Sequence, residues 1–145
     1  MHAFPHFYQA SVVADPDNPL TTSCKQLPSI AVSPPVEFGG SGEQWSPEEL
    51  LMASVANCLV LSFRAIAKMA EYEWLNIQCE SRGELDKVDR KIVFTKVYTK
   101  ATLTLHSEAD IEKAKALLNK AEQACFITNS LSSESFFECD IVMSD

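Results

Sequence analysis

The rhythm of apolar and polar positions changes several times along the chain, and each change predicts an element. From His6 to Val13 (HFYQASVV) the residues are aromatic or β-branched, which predicts a strand. Asp15-Pro16-Asp17-Asn18-Pro19 bends the chain, because Asp and Asn bond to nearby backbone and Pro fixes φ. Thr21 to Leu27 reads as the returning arm of a hairpin and Ile30 to Val32 as a third short strand. Ser33-Pro34-Pro35 and Phe38-Gly39-Gly40-Ser41-Gly42 then open a loop. At Ser46-Pro47-Glu48-Glu49 a helix begins, with a physical cause at each position. Ser46 can cap, Pro47 has no N–H to leave unsatisfied, and the two carboxylates face the positive end of the helix dipole. The helix is predicted to run from Leu50 to about Glu71 and is apolar on nearly every face in its first half. Strands follow at Leu75–Leu85 and Ile92–His106, joined by a charged turn at Asp86 to Arg90. The spacing of Ile111, Ala114, Leu117, Leu118, Ala121 and Ala124 predicts a second helix reaching Cys125, and Phe136 to Met143 a last strand.

Two inferences follow from this pattern alone. A helix that is apolar all round must be buried all round, and a domain of this size rarely encloses six turns by itself. A second copy of the chain is the economical second wall, so a homodimer is expected. A membrane span is the rival reading. It is disfavoured because Asn57 and Arg64 interrupt the run short of the roughly 18–20 residues a span requires.

Composition narrows the function without naming it. The 145 residues are 46% hydrophobic and 22% charged, as in one globular domain over residues 1–145, with neither low-complexity tracts nor repeats. A formal net charge of -8 makes nucleic acid and anionic membrane poor partners. The cysteines (Cys24, Cys58, Cys79, Cys125 and Cys139) are odd in number and form no CxxC pair, and the N-terminal Met1-His2-Ala3-Phe4-Pro5 does not read as a signal peptide. The expectation is a cytoplasmic protein with reduced thiols, no metal site and no cofactor. Free cysteine is often simply a small buried hydrophobe, and that suits Cys79 and Cys139 on their strands. Cys24, on an expected edge strand, would be exposed and oxidisable. Cys58 in mid-helix and Cys125 at a helix end are the thiols whose positions invite a chemical role. Glu48 is the less accounted for of the two first-turn carboxylates, since Glu49 fits the cap better.

The stretch Trp45-Ser46-Pro47-Glu48-Glu49-Leu50-Leu51-Met52-Ala53-Ser54-Val55-Ala56-Asn57-Cys58 resembles the hallmark segment of the OsmC/Ohr family, the osmotically inducible and organic hydroperoxide resistance proteins. In that family a Pro-Glu pair opens the long central helix and a Cys follows the Glu by ten residues, the spacing of Glu48 and Cys58. Ala121-Glu122-Gln123-Ala124-Cys125 resembles the family's second marker, and the order of elements agrees over nearly the whole chain. The resemblance implies an α+β fold in which an intertwined homodimer wraps antiparallel sheets around long buried central helices. It also implies a thiol-dependent peroxidase for oxidative-stress defence. Cys58 would attack the peroxide and become a sulfenic acid, and Cys125 would resolve it to a disulfide. A dithiol reductant, a lipoyl-bearing protein in the organic-hydroperoxide branch, would reopen that bond. Glu48 would orient a neighbouring cation.

In the family that cation is an Arg from the N-terminal strands. This chain has none before Arg64; Lys25, on the expected second strand, is one candidate substitute, and Arg64 would serve only the partner's site, if it is not simply a surface charge. Phe126 stands where Pro is common. Phe38, Trp45 and Phe126 are candidates for an apolar mouth. Ten helical residues rise about 15 Å, so a Glu48–Cys58 contact is expected across the dimer and not within one chain. Two alternatives stay open. One is a non-peroxidase OsmC-like protein that binds a small molecule or senses redox state without the Arg. The other is an acyl-thioester hydrolase using a helix-borne carboxylate.

Overall fold

The computed structural model describes residues 2–144, so Met1 and Asp145, at the ends of the expected domain and of the N-terminal reading, lie outside the described residues. The chain divides into two compact units, one ending at Leu51 and one beginning at Met52.

In the first unit β1 (Ser11–Val13), β2 (Leu20–Ser23) and β3 (Ile30–Val32) form an antiparallel sheet in that order. The expected bend between β1 and β2 is built on Asp15, whose carboxylate accepts from the backbone N–H of Asp17 (2.9 Å) and Asn18 (2.8 Å). β1 and β2 are shorter than their sequence predicts. Their pairing ends at Ser11–Ser23, because the chain turns immediately afterwards: Leu27 N–H closes on the Cys24 carbonyl at 3.0 Å, and Lys25 takes a positive φ of 51°. Lys25 is therefore in a turn, not on a strand. Cys24 follows the middle strand, not an edge strand, and its thiol donates to the Gln9 carbonyl at 3.2 Å. After β3 a single 3-10 turn (Val36–Phe38) leads into the glycines. A Cβ on Gly40 would lie 1.7 Å from the Pro34 carbonyl oxygen, so that close backbone approach requires glycine.

Helix α1 (Pro47–Met69) begins where the cap predicts, with Ser46 Oγ accepting from Glu49 N–H at 3.1 Å, and it is unbroken. One stripe is buried at every fourth position: Val55, Leu59, Phe63 and Ala67. Other apolar positions are not covered by this chain; Leu61 is 57% and Met69 86% exposed. By length and composition α1 could cross a membrane, so Asn57 and Arg64 do not shorten the run as expected. Asn57 is exposed, and its amide bonds back to the Ala53 carbonyl at 2.7 Å, so it does not interrupt the helix.

In the second unit β4 (Asn76–Val88), β5 (Lys91–His106) and β6 (Glu134–Ser144) form a sheet with β5 in the centre. The β4–β5 turn is tighter than expected: Asp86 to Val88 continue the strand, and only Asp89 and Arg90 turn, both at positive φ (49° and 69°). That is the dihedral pattern of a two-residue hairpin whose twist matches its strands. β6 lies parallel to β5, which makes this sheet mixed where antiparallel sheets were expected. The chain makes the necessary crossover through α2 (Ile111–Gln123) and a short α3 (Phe126–Asn129). Asp110 caps α2, accepting from Lys113 N–H at 3.0 Å.

The core of this unit joins three surfaces: Leu59, Phe63 and Ala67 of α1, Ala101, Leu103 and Leu105 of β5, and Ala114, Leu118 and Ala121 of α2. Strand alternation puts Val97, Thr99, Ala101, Leu103 and Leu105 on the buried face. The Thr99 hydroxyl there is satisfied by Ser81 at 2.9 Å.

Candidate functional site

α2 stops at Gln123, short of the predicted Cys125. Cys125 takes an extended conformation (φ −67°, ψ 109°) and becomes the residue that precedes α3. Four residues carry too little periodicity to be seen in sequence, and α3 was not expected. Yet it is what gathers the site. α3 lays Phe126 and Ile127 beside α1, and an open groove of about 460 Å³ lies between them, lined by Cys58, Leu61, Ser62 and Ala65 on the α1 side.

Cys58 lines this groove and the buried Cys125 lies next to it, and their environments separate them chemically. Burial pushes the Cys58 thiol up. The backbone N–H of Ile127, the Cys125 thiol, the backbone N–H of Phe126 and the Ser62 hydroxyl together outweigh it, so Cys58 lies below the ordinary thiol range. Every one of these stabilising groups is neutral. Cys125 is 1% exposed, and burial pushes it up; Thr128 opposes that shift, but the adjoining Cys58 adds to it and the net direction is upward. Thr128 Oγ1 donates to Cys125 Sγ at 3.2 Å. The pair thus sets a thiol shifted down beside a thiol shifted up.

Of the residues singled out in the sequence, Cys58, Cys125 and Phe126 come together here, and Phe126 is 78% exposed at the groove. Glu48, Lys25, Phe38 and Trp45 belong to the first unit. Lys25 and Phe38 are exposed, and Trp45 pairs with Val32 in an isolated bridge. Glu48 Oε2 is buried without a hydrogen-bond partner among the described residues. Ser62, Ile127 and Thr128 escaped the sequence reading. Ser62 is four residues beyond Cys58, one helical turn, and that spacing was the signal available for it.

Cys79 and Cys139 are of another kind. They flank Ala101 in one row across the sheet. Burial, then the neighbouring Cys125 and Glu80, push Cys79 up to about 11. Burial also raises Cys139, against the opposing Lys115. Among the described residues no group of three His, Cys, Asp or Glu side chains is placed to hold a metal ion.

Comparison with known proteins agrees with this fold. Residues 40–140 match the family model described as OsmC-like protein. The uncharacterized protein YmaD of Bacillus subtilis is 27% identical over 104 residues, 70% of this chain and 69% of that one. The solved structure of an OsmC-like protein of unknown function from Vibrio cholerae superposes with a TM-score of 0.84 at 20% identity, covering 93% of this chain and 99% of the other. An organic hydroperoxide resistance protein from Legionella pneumophila gives a TM-score of 0.73 at 21% identity, covering 95% and 99%. At these identities the solved structures speak for the fold.

Proposed function

The chain belongs to the OsmC-like protein family, and from that premise we propose that it is a cytoplasmic, thiol-dependent peroxidase that reduces organic hydroperoxides through Cys58 and Cys125. The observation that carries this reading is the juxtaposition, at one apolar groove, of a lining thiol shifted down with a second thiol shifted up and buried behind it.

The chemistry follows from that asymmetry. The Cys58 thiolate attacks the distal peroxide oxygen; the O–O bond breaks, the alkoxide takes a proton and leaves as alcohol, and Cys58 becomes a sulfenic acid. Cys125 then attacks the sulfenic sulfur. Its proton leaves with the hydroxide as water, and a Cys58–Cys125 disulfide remains. A dithiol, of which a dihydrolipoyl group is one, reduces that bond and is itself oxidised to a cyclic disulfide. Leu61, Ala65, Phe126 and Ile127 at the groove favour an alkyl or aryl hydroperoxide over hydrogen peroxide. The neutral donors around Cys58 favour its thiolate without the Arg that the resemblance called on.

A homodimer is part of the proposal. The uncovered Leu61 and Met69 on α1 support a second chain as the missing wall. The unpartnered Glu48 oxygen supports a donor supplied from outside its own helix. A sedimentation mass of twice 16.1 kDa is the expected result; a monomer at micromolar concentration removes this part.

The catalytic reading is tested by treating the reduced protein with one equivalent of cumene hydroperoxide and mapping disulfides by mass spectrometry. A rapid Cys58–Cys125 bond is expected. Slow, scattered oxidation led by Cys24 would transfer the protein to the small-molecule-binding or redox-sensing reading.

A further inference from the structure

The two sulfurs of the site are not equivalent toward a reductant. Cys58 lines the open groove, whereas Cys125 is 1% exposed behind it. In thiol–disulfide exchange the incoming thiolate must reach the sulfur it attacks, so access directs it to Cys58 and makes Cys125 the leaving sulfur. Leaving-group chemistry pulls the other way. The sulfur with the more stable anion leaves faster, and burial makes the Cys125 anion the costlier of the two.

What offsets this conflict lies on α3. Thr128 Oγ1 donates to Cys125 Sγ at 3.2 Å, and the Thr128 backbone N–H also favours the anion of that sulfur. The donor is held in place by bonds Thr128 does not itself make. Ser130 Oγ donates to the Phe126 carbonyl at 2.7 Å, and Asn129 Nδ2 donates to the Gln123 carbonyl at 3.0 Å, fastening α3 to itself and to the end of α2.

We propose that Thr128 is a positioning residue that sets the direction of disulfide reduction, stabilising Cys125 as the leaving thiolate so that the reductant attacks Cys58. The inference rests on the peroxidase reading for how the disulfide arises. One thiolate of a dithiol attacks Cys58 Sγ; a new S–S bond forms, the Cys58–Cys125 bond breaks, and its electron pair passes to Cys125 Sγ, which the Thr128 hydroxyl holds until it takes up a proton. The second thiolate of the dithiol then attacks its own sulfur in the mixed disulfide. This releases the Cys58 thiolate and an oxidised, cyclic dithiol.

The test separates this step from peroxide chemistry by making the disulfide with diamide. Brief exposure of the wild-type disulfide to glutathione, quenching with N-ethylmaleimide and peptide mapping should place glutathione on Cys58 and maleimide on Cys125. In Thr128→Val, reduction by dithiothreitol should slow about tenfold, as expected for losing a hydrogen bond to a charged sulfur, against a smaller change in the rate at which hydroperoxide oxidises Cys58. Thr128→Ser should restore the reduction rate. In a Cys58→Ser background, Thr128→Val should move the pH midpoint of Cys125 alkylation upward while Thr128→Ser leaves it in place. Glutathione on Cys125, an unslowed Thr128→Val, or equal slowing in both variants would each overturn the role of Thr128. A protein that forms the disulfide with diamide but not with hydroperoxide loses the peroxidase reading and keeps this one, and failure with both reagents removes the two together.

Discussion

The second unit contains two pairs of thiols, Cys58 with Cys125 and Cys79 with Cys139, and depth alone does not set their chemistry. Cys58, Cys79 and Cys139 are all half-buried, yet Cys58 is shifted down and the two strand cysteines up. Burial raises all three. The difference is the direction in which backbone donors point: the Phe126 and Ile127 N–H groups favour the Cys58 anion, whereas the N–H groups of β4 and β6 lie in the plane of the sheet, toward β5 or outward from its edges, and not toward the side chains. Geometry separates the pairs as well. Cys79 and Cys139 are two strands apart, about 10 Å, which exceeds the reach of a disulfide. The thiol shifted down is the one beside the first turn of α3, and the two strand thiols are shifted up.

The largest effect that tests this contrast is on turnover. Cys58→Ser should reduce hydroperoxide consumption to the uncatalysed rate in a ferrous–xylenol orange assay, and Cys139→Ser should leave it at the parental rate. Loss of activity in the second variant would collapse the distinction. Next is labelling. With its pKa at about 11, Cys79 is about one part in a thousand ionised at pH 8, so iodoacetamide should label Cys58 long before Cys79 in a mapped time course. A smaller effect is on alkaline stability. The folded Cys79 keeps its proton up to about pH 11, while the unfolded chain releases it near the ordinary thiol value. The unfolded state therefore binds fewer protons between those limits, and stability falls as pH rises through them. Cys79→Ala should flatten that slope in thermal melts between pH 8.5 and 11. The smallest expected effect is that of salt. Because the groups favouring the Cys58 thiolate are uncharged, its alkylation rate should change less than about twofold between 10 mM and 0.5 M NaCl. A steep fall would point to a cation, Lys25 included.

Much of the fold could be read from local chemistry, and most of what could not depends on partners distant in sequence. Ser46 and Pro47 located the start of α1, and Ile30 to Val32 emerged as β3 unchanged, since caps and short apolar runs are local signals. His6 to Ala10 look like a strand by composition but have no partner once β2 ends at Ser23, so only Ser11–Val13 pair. The parallel placement of β6 could not be read from its own alternation, which is the same in either direction. For the site, Cys58 and Cys125 were brought together by a family resemblance and not by periodicity. The groups that tune them were hidden because α3 is four residues long.

The dependence of Cys58 on α3 also affects how the protein is born. Phe126, Ile127 and the donors they carry are made roughly seventy residues after Cys58, about four to fourteen seconds at ordinary elongation rates. Until then no helix beginning faces the sulfur, and it has the sluggish nucleophilicity of an ordinary thiol. On the proposed reading, Cys58 gains its distinct chemistry only when the last third of the chain has been made.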